Sequence, residues 1–229
     1  MIHLVEQVLN GTQFGVMLFL MAAGLTLIFG IMNVINLAHG SLYMRVPDFL
    51  NGRVELLPGS PYPTYRLAII AVGLAVALLL YLLIARTRIG MLIRAGAANR
   101  VMLGALGVNV TVLYTLVFAL GTALAALAGV MAGPIFTVES GMGENVLILA
   151  FVVIVIGGIG SIRGAFVAAL IVGIVDAVGR AYLRPFLSVF LGNAAAANAG
   201  PALASMLIYI LMAAVLFVKP QGLFPPRGR

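Results

Sequence analysis

Asp176 and Arg180 stand four residues apart inside an otherwise apolar run, a spacing at which a carboxylate and a guanidinium meet on one helix face. A lone carboxylate in hydrocarbon is costly, and the arginine relieves that cost. Two chemistries fit the pair. One is a structural ion pair near an interface, with Arg180 and Arg184 reaching toward water. The other is a carboxylate that couples a proton or ion to a solute, as in a secondary transporter. Upstream, Asn33, Asn36 and His39 recur at three-residue spacing where another apolar run ends, so on a helix they share roughly one face. They are placed either to line a path for a polar solute or to cap the helix end through nearby backbone groups.

Other chemistry is scarce. The only histidines are His3 and His39, in neither an HExxH pattern nor paired ligand spacing, and no metal site is expected. Lys219 is the single lysine and follows no GxxxxGK[ST] loop, so the chain is not expected to hold or hydrolyse nucleotide by that route. With no cysteine there is neither disulfide nor thiol nucleophile. The chain reads as a non-enzyme that binds no cofactor of its own, and whatever energises it sits on another chain.

The elements that must position these residues follow from composition. Of 229 residues, 63% are hydrophobic and 8% charged, against about 25% charged in a soluble domain. Long apolar runs rather than short alternating ones predict an all-α, polytopic membrane protein, a single transmembrane domain over residues 1–229. Six spans are expected, at Phe14–Leu37, Tyr65–Ala85, Val110–Ala132, Val146–Ile159, Ala165–Tyr182 and Ala202–Val218. The fourth is short, and GGIGSIRG after it (Gly157–Gly164) suggests a broken or tilted helix. Gly129 and Gly133, with the neighbouring alanines and Gly173, predict close helix packing. GNAAAANAG (Gly192–Gly200) reads as a mobile loop.

The net charge of +7 is almost wholly arginine, spaced with the loops rather than in one nucleic-acid-binding stripe. RTRIGMLIRAGAANR (Arg86–Arg100) has four arginines and no acid, which assigns it to the cytoplasm. Counting crossings outward from it puts both termini in the cytoplasm and the segments 45–64, 133–145 and 183–201 outside. The 86–109 connector is long and rich in small residues, which predicts a short helix outside the bilayer suited to a groove on a partner, with Arg94 and Arg100 as rim charges. The alternative is a positively charged anchor with no partner.

Three stretches carry a resemblance: GLTLIFGIMNVINLAHGSLYM, TRIGMLIRAGAANRVMLGALGVNV and GGIGSIRGAFVAALIVGIVDAVGRAYL. Together they resemble the smaller permease type of branched-chain amino acid ABC importers. The resemblance implies an inner-membrane subunit working by alternating access. It would pair with a second, homologous permease, two cytoplasmic ATP-binding subunits and a periplasmic solute-binding protein. It also implies that Arg94, Ala97, Asn99, Arg100, Gly104, Gly107 and Asn109 lie in the coupling loop that docks on the ATPase. Ala98 and Val101 stand where that family often carries polar or acidic residues. After Met44 the chain passes directly into RVPDFLNGRVELLPG, where the family continues into further membrane segments. A block of about two helices, roughly sixty residues, is thus expected to be missing. Urea or a short amide is the alternative solute within the family.

Overall fold

The computed structural model describes residues 2–32, 50–57, 60–135 and 142–224. In chain order these form α1 (Ile2–Met32), β1 (Arg53–Leu57), β2 (Ser60–Pro63), α2 (Thr64–Arg86), α3 (Arg88–Ala98), α4 (Arg100–Ala105), α5 (Val110–Ala132), α6 (Met142–Gly157), α7 (Ile162–Leu191) and α8 (Asn193–Val218). Five helices, α1, α2, α5, α7 and α8, are long and apolar enough to cross a membrane. With 16 residues α6 is shorter, reaching about 24 Å against about 30 Å of hydrocarbon. The expected polytopic helical class and a span count near six therefore hold. An antiparallel hairpin, with Val54 opposite Tyr62, is the one addition to the helices among the described residues.

Helix α1 packs against α7, α5, α2 and α6, and its fully buried Leu18, Phe19 and Leu20 sit at the centre of the core. Lipid is as apolar as leucine, so burial alone does not hold such a bundle together; close backbone approach does. A Cβ on Gly11 would fall 2.7 Å from Ile174 Cα, and one on Gly15 would fall 2.6 Å from the Ala169 carbonyl oxygen. Gly173 answers them from α7, and Phe19 meets Phe166 edge to face with ring centroids 5.1 Å apart. The working GxxxG pair is thus Gly11 and Gly15. At Gly129, on the expected pair, an added Cβ would meet nothing within 4 Å. That glycine lies off the buried stripe of Leu124, Ala128 and Ala132 on its own helix.

The side-chain contacts also fix directions. Near the start of α1, the Asn10 Oδ1 accepts from the Tyr62 hydroxyl at 3.3 Å and from the Arg66 guanidinium. Further along, Val16 fills the space beside Gly73. α1 and α2 therefore run parallel. Tyr65 donates to the Met131 carbonyl at 3.0 Å, bringing the end of α5 to the same end of the bundle. At the opposite end Arg163, starting α7, lies 4.8 Å over the Tyr81 ring and donates to its hydroxyl at 3.1 Å. The start of α1 and residues 219–224 consequently lie at opposite ends of the bundle, not on one side as expected. Counting crossings assumes that every apolar run reverses the one before, and α1 and α2 do not.

Residues 219–224 close the α6–α7 turn. Leu223 N donates to the Ile156 carbonyl at 2.8 Å and Phe224 N to that of Gly157 at 3.1 Å, satisfying carbonyls that a helix end leaves without partners. The approach is tight: a Cβ on Gly222 would fall 2.6 Å from Gly158 Cα. Ser161 caps α7 by accepting from Gly164 N at 3.1 Å.

The expected loop at 183–201 is helical instead. α7 continues to Leu191, Gly192 turns the chain at φ +76°, and α8 starts at Asn193. Alanine is the strongest helix former, so AAAANAG extends a helix even though its low complexity suggests a loop. Pro185 and Pro201 stay inside their helices. Ser188 and Ser205 donate to their carbonyls at 2.7 and 3.1 Å.

Candidate functional site

The 86–109 connector is an elbow of two short helices. Thr87 ends α2 and caps α3, its hydroxyl accepting from Gly90 N at 3.1 Å. Asn99 caps α4 by accepting from Met102 N at 3.0 Å, and Asn109 caps α5 by accepting from Val112 N at 3.1 Å. Gly107 turns the chain between them at φ +82°, in the left-handed region that glycine enters freely. Three of the seven residues assigned to this loop by resemblance thus set its shape.

Ile93, Gly96 and Leu103 are buried and seat the elbow on the bundle; a Cβ on Gly96 would lie 3.3 Å from Leu103 and 3.6 Å from Leu113. On the outer side Ala97, Asn99, Arg100 and Gly104 are exposed, beside Val101 at 81%, Met102 at 63% and Leu106 at 73% exposure. An apolar surface with Arg100 at its edge remains on the far face. Arg94, by contrast, turns back: its guanidinium donates to the Ile84 carbonyl oxygen near the end of α2. It belongs to the elbow's own hydrogen bonding as well as to its exposed surface.

Asp176 and Arg180 meet as their spacing predicts. Nε of Arg180 donates to both carboxylate oxygens, at 2.8 and 2.9 Å. The carboxylate side chain is 8% exposed and the guanidinium side chain 55%. A carboxylate held on both oxygens by its own helix is a paired charge at a solvated edge, which is the structural alternative of the two sequence readings. Asn33, Asn36 and His39 lie outside the described residues. Among the described residues, no contact joins Asp176 to the elbow.

One polar cluster escaped sequence reasoning: Asn10, Tyr62 and Arg66, joined across α1, β2 and α2. Arg66 falls where an outer interface was expected, but nothing in the sequence points it at Asn10. Burial raises the Tyr62 hydroxyl above its ordinary value, and the nearby Arg66 charge opposes that shift in part.

Comparison with known proteins bears on this arrangement. Residues 48–216 match the family model described as "Branched-chain amino acid transport system / permease component", a range that begins after α1 and includes the whole elbow and the ion pair. The chain is similar to the high-affinity branched-chain amino acid transport system permease protein LivH of Salmonella typhimurium, 34% identical over 158 residues, covering 66% of this chain and 51% of that protein. It is similar to LivH of Escherichia coli K12, 33% identical over 156 residues with the same coverage. It is also similar to BraD of Pseudomonas aeruginosa, 34% identical over 152 residues, covering 64% and 50%. The matches span about half the length of these relatives. No solved structure matches the chain. With residues 48–216 carrying the match, the chain belongs to the family of permease components of branched-chain amino acid transport systems.

Proposed function

We propose that the chain is the membrane-spanning permease subunit of an ATP-driven importer for branched-chain amino acids, residing in a bacterial inner membrane. The observation that carries the reading is the elbow of α3 and α4. It is seated on the bundle by Ile93, Gly96 and Leu103, and it leaves Val101, Met102 and Leu106 exposed beside Arg100. A rigid amphipathic knob of this kind suits a groove on another protein, here the cytoplasmic ATP-binding subunits. Closure of two such subunits on ATP would displace the elbow and rock the attached helices, giving alternating access. ATP hydrolysis would lie on those partners, and substrate would come from a periplasmic binding protein.

The arginine-rich elbow is the cytoplasmic end in this reading, and the α6–α7 turn and residues 219–224 lie on the same side in it because Arg163 reaches Tyr81 near the end of α2. A second, homologous permease would complete the pathway. We also read the chain as lacking an internal block after Met44. The parallel course of α1 and α2 supports loss of an odd number of crossings there rather than of two, because spans alternate in direction. An ion-coupled carrier using Asp176 is disfavoured by the pairing of both its oxygens with Arg180.

The test is co-purification in mild detergent of the tagged chain expressed with its neighbouring transport genes. Stoichiometric recovery of an ATPase and a second permease is the expected outcome. A folded, monodisperse chain eluting alone overturns the proposal.

A further inference from the structure

The α7–α8 hairpin tip holds an open cavity of about 430 Å³, lined by Arg180, Ala181, Arg184, Pro185, Ser188 and Asn193. Three features make it electropositive. Arg180 gives only its Nε to Asp176, and its terminal nitrogens have no acceptor among the described residues. Arg184 has no ion pair among the described residues. The 26-residue helix α8 starts at the rim with no side-chain hydrogen bond at its cap, so its first N–H groups and the positive end of its dipole face the same region. Asp176 offsets one of the two guanidinium charges, and the second is left for a ligand.

Depth along the helix selects the ligand. At 1.5 Å per residue, Arg180 and Arg184 stand about 27 and about 33 Å along α7 from Ile162. With Ile162 taken at one edge of a hydrocarbon layer about 30 Å thick, they straddle the other edge, the level at which phospholipid phosphates begin. Tyr182, Phe186 and Phe190 follow at four-residue spacing and are exposed by 40%, 62% and 73%, with the two phenylalanine rings 5.4 Å apart. Four-residue spacing keeps such residues on one helix face, while Arg184 and Phe186, two residues apart, face roughly opposite ways. The tip therefore has an aromatic face suited to the interface and a cationic face suited to a headgroup.

We propose that this cavity binds the phosphate of an anionic phospholipid, with Arg184 as the principal cation and Arg180, oriented by Asp176, as the second. A choline headgroup would bring its own cation against Arg184, so an anionic lipid is preferred over a zwitterionic one.

Native mass spectrometry of the detergent-purified chain, titrated with phosphatidylglycerol, phosphatidylcholine or inorganic phosphate, tests this. Phosphatidylglycerol should be retained over phosphatidylcholine, and Arg184→Gln should weaken its binding about tenfold, as loss of one charge-assisted contact implies. Arg53→Gln, an exposed arginine of the hairpin, should leave it unchanged. Asn193→Asp guards against misfolding: an acid at a helix N-terminus favours the helix, yet it places a carboxylate in the cavity and should weaken lipid binding by a similar factor. Equal phosphatidylglycerol binding by the parent, Arg184→Gln and Asn193→Asp chains overturns the site. Equal retention of phosphatidylcholine overturns the anionic preference. Displacement of the lipid by inorganic phosphate at equal concentration, with the same Arg184 dependence, reassigns the cavity to a free anion.

Discussion

The guanidinium of Arg94 donates to the carbonyl oxygen of Ile84, tying α3 back onto the end of α2. Arg100, six residues further along the sequence, has no partner among the described residues. These two arginines read alike in the sequence and differ in what they touch. On the permease reading, Arg100→Glu should leave the unfolding midpoint of the purified chain unchanged and reduce ATPase recovery on co-purification about tenfold or more. Arg94→Glu should lower stability by about 1 kcal/mol, below the roughly 1.5–3 kcal/mol of a hydrogen bond to a charged group because this one is exposed. Normal ATPase recovery with Arg100→Glu would remove that residue from the proposed docking surface.

Two glycine substitutions should have opposite effects. Gly15→Val puts a side chain where the Ala169 carbonyl oxygen lies 2.6 Å away, and should cost about 2–4 kcal/mol or prevent folding, through overpacking between α1 and α7. Gly129→Ala meets open space and should be neutral or gain up to about 1 kcal/mol from helix propensity. Thermal unfolding in one detergent, with both variants side by side, decides it.

The ion pair should respond unequally to loss of either partner. Arg180→Gln leaves a buried carboxylate without its cation, a loss of about 3–5 kcal/mol for a fully buried pair and less here because the arginine side is 55% exposed. Asp176→Asn leaves an arginine that can still reach water, and should cost less than Arg180→Gln. On the permease reading, Asp176→Asn also keeps ATP-driven uptake. Loss of uptake in a normally folded Asp176→Asn chain would favour an ion-coupling carboxylate.

Alkaline pH probes the hairpin. The Tyr62 hydroxyl is raised above its ordinary value of 10.0 by burial, with Arg66 opposing, so the folded state prefers the protonated phenol. Its contribution to stability is complete below about pH 10 and is lost as pH rises through the raised folded value. The parent chain should therefore destabilise above about pH 10 by more than Tyr62→Phe does. At neutral pH the same substitution should cost about 1 kcal/mol through the lost hydrogen bond to Asn10. Parallel pH curves for the two chains would exclude Tyr62 as the titrating group.

The centres of α2, α5, α6, α7 and α8 were legible because hydropathy reports burial in lipid directly, whereas the first span, expected at Phe14–Leu37, is His3–Gly24 of α1. Span ends and directions were less legible, because several were decided by contacts distant in sequence. AAAANAG and Pro201 look like a break, yet alanine propensity carried α8 back to Asn193. Gly11 and Gly15 have the same spacing as Gly129 and Gly133. Only the stripe each pair belongs to decides which can approach a neighbour, and that depends on the partner helix. At the candidate site, the Asp176–Arg180 pair was legible because it is local to one helix. The inward turn of Arg94 was not, because it depends on the angle at Thr87. The course of α1 could not be read by counting crossings, since its direction is set by Asn10 meeting Tyr62 and Arg66.

The bonds from Leu223 and Phe224 to Ile156 and Gly157 carry a consequence for biosynthesis. The turn that joins α6 to α7 is completed by residues made nearly seventy positions after the carbonyls they bind, as α7 and α8 carry the chain out and back. Until residues 219–224 are made, the Ile156 and Gly157 carbonyls lack these two donors. Helices α6 and α7 then wait as an unlatched pair until residues 219–224 join them.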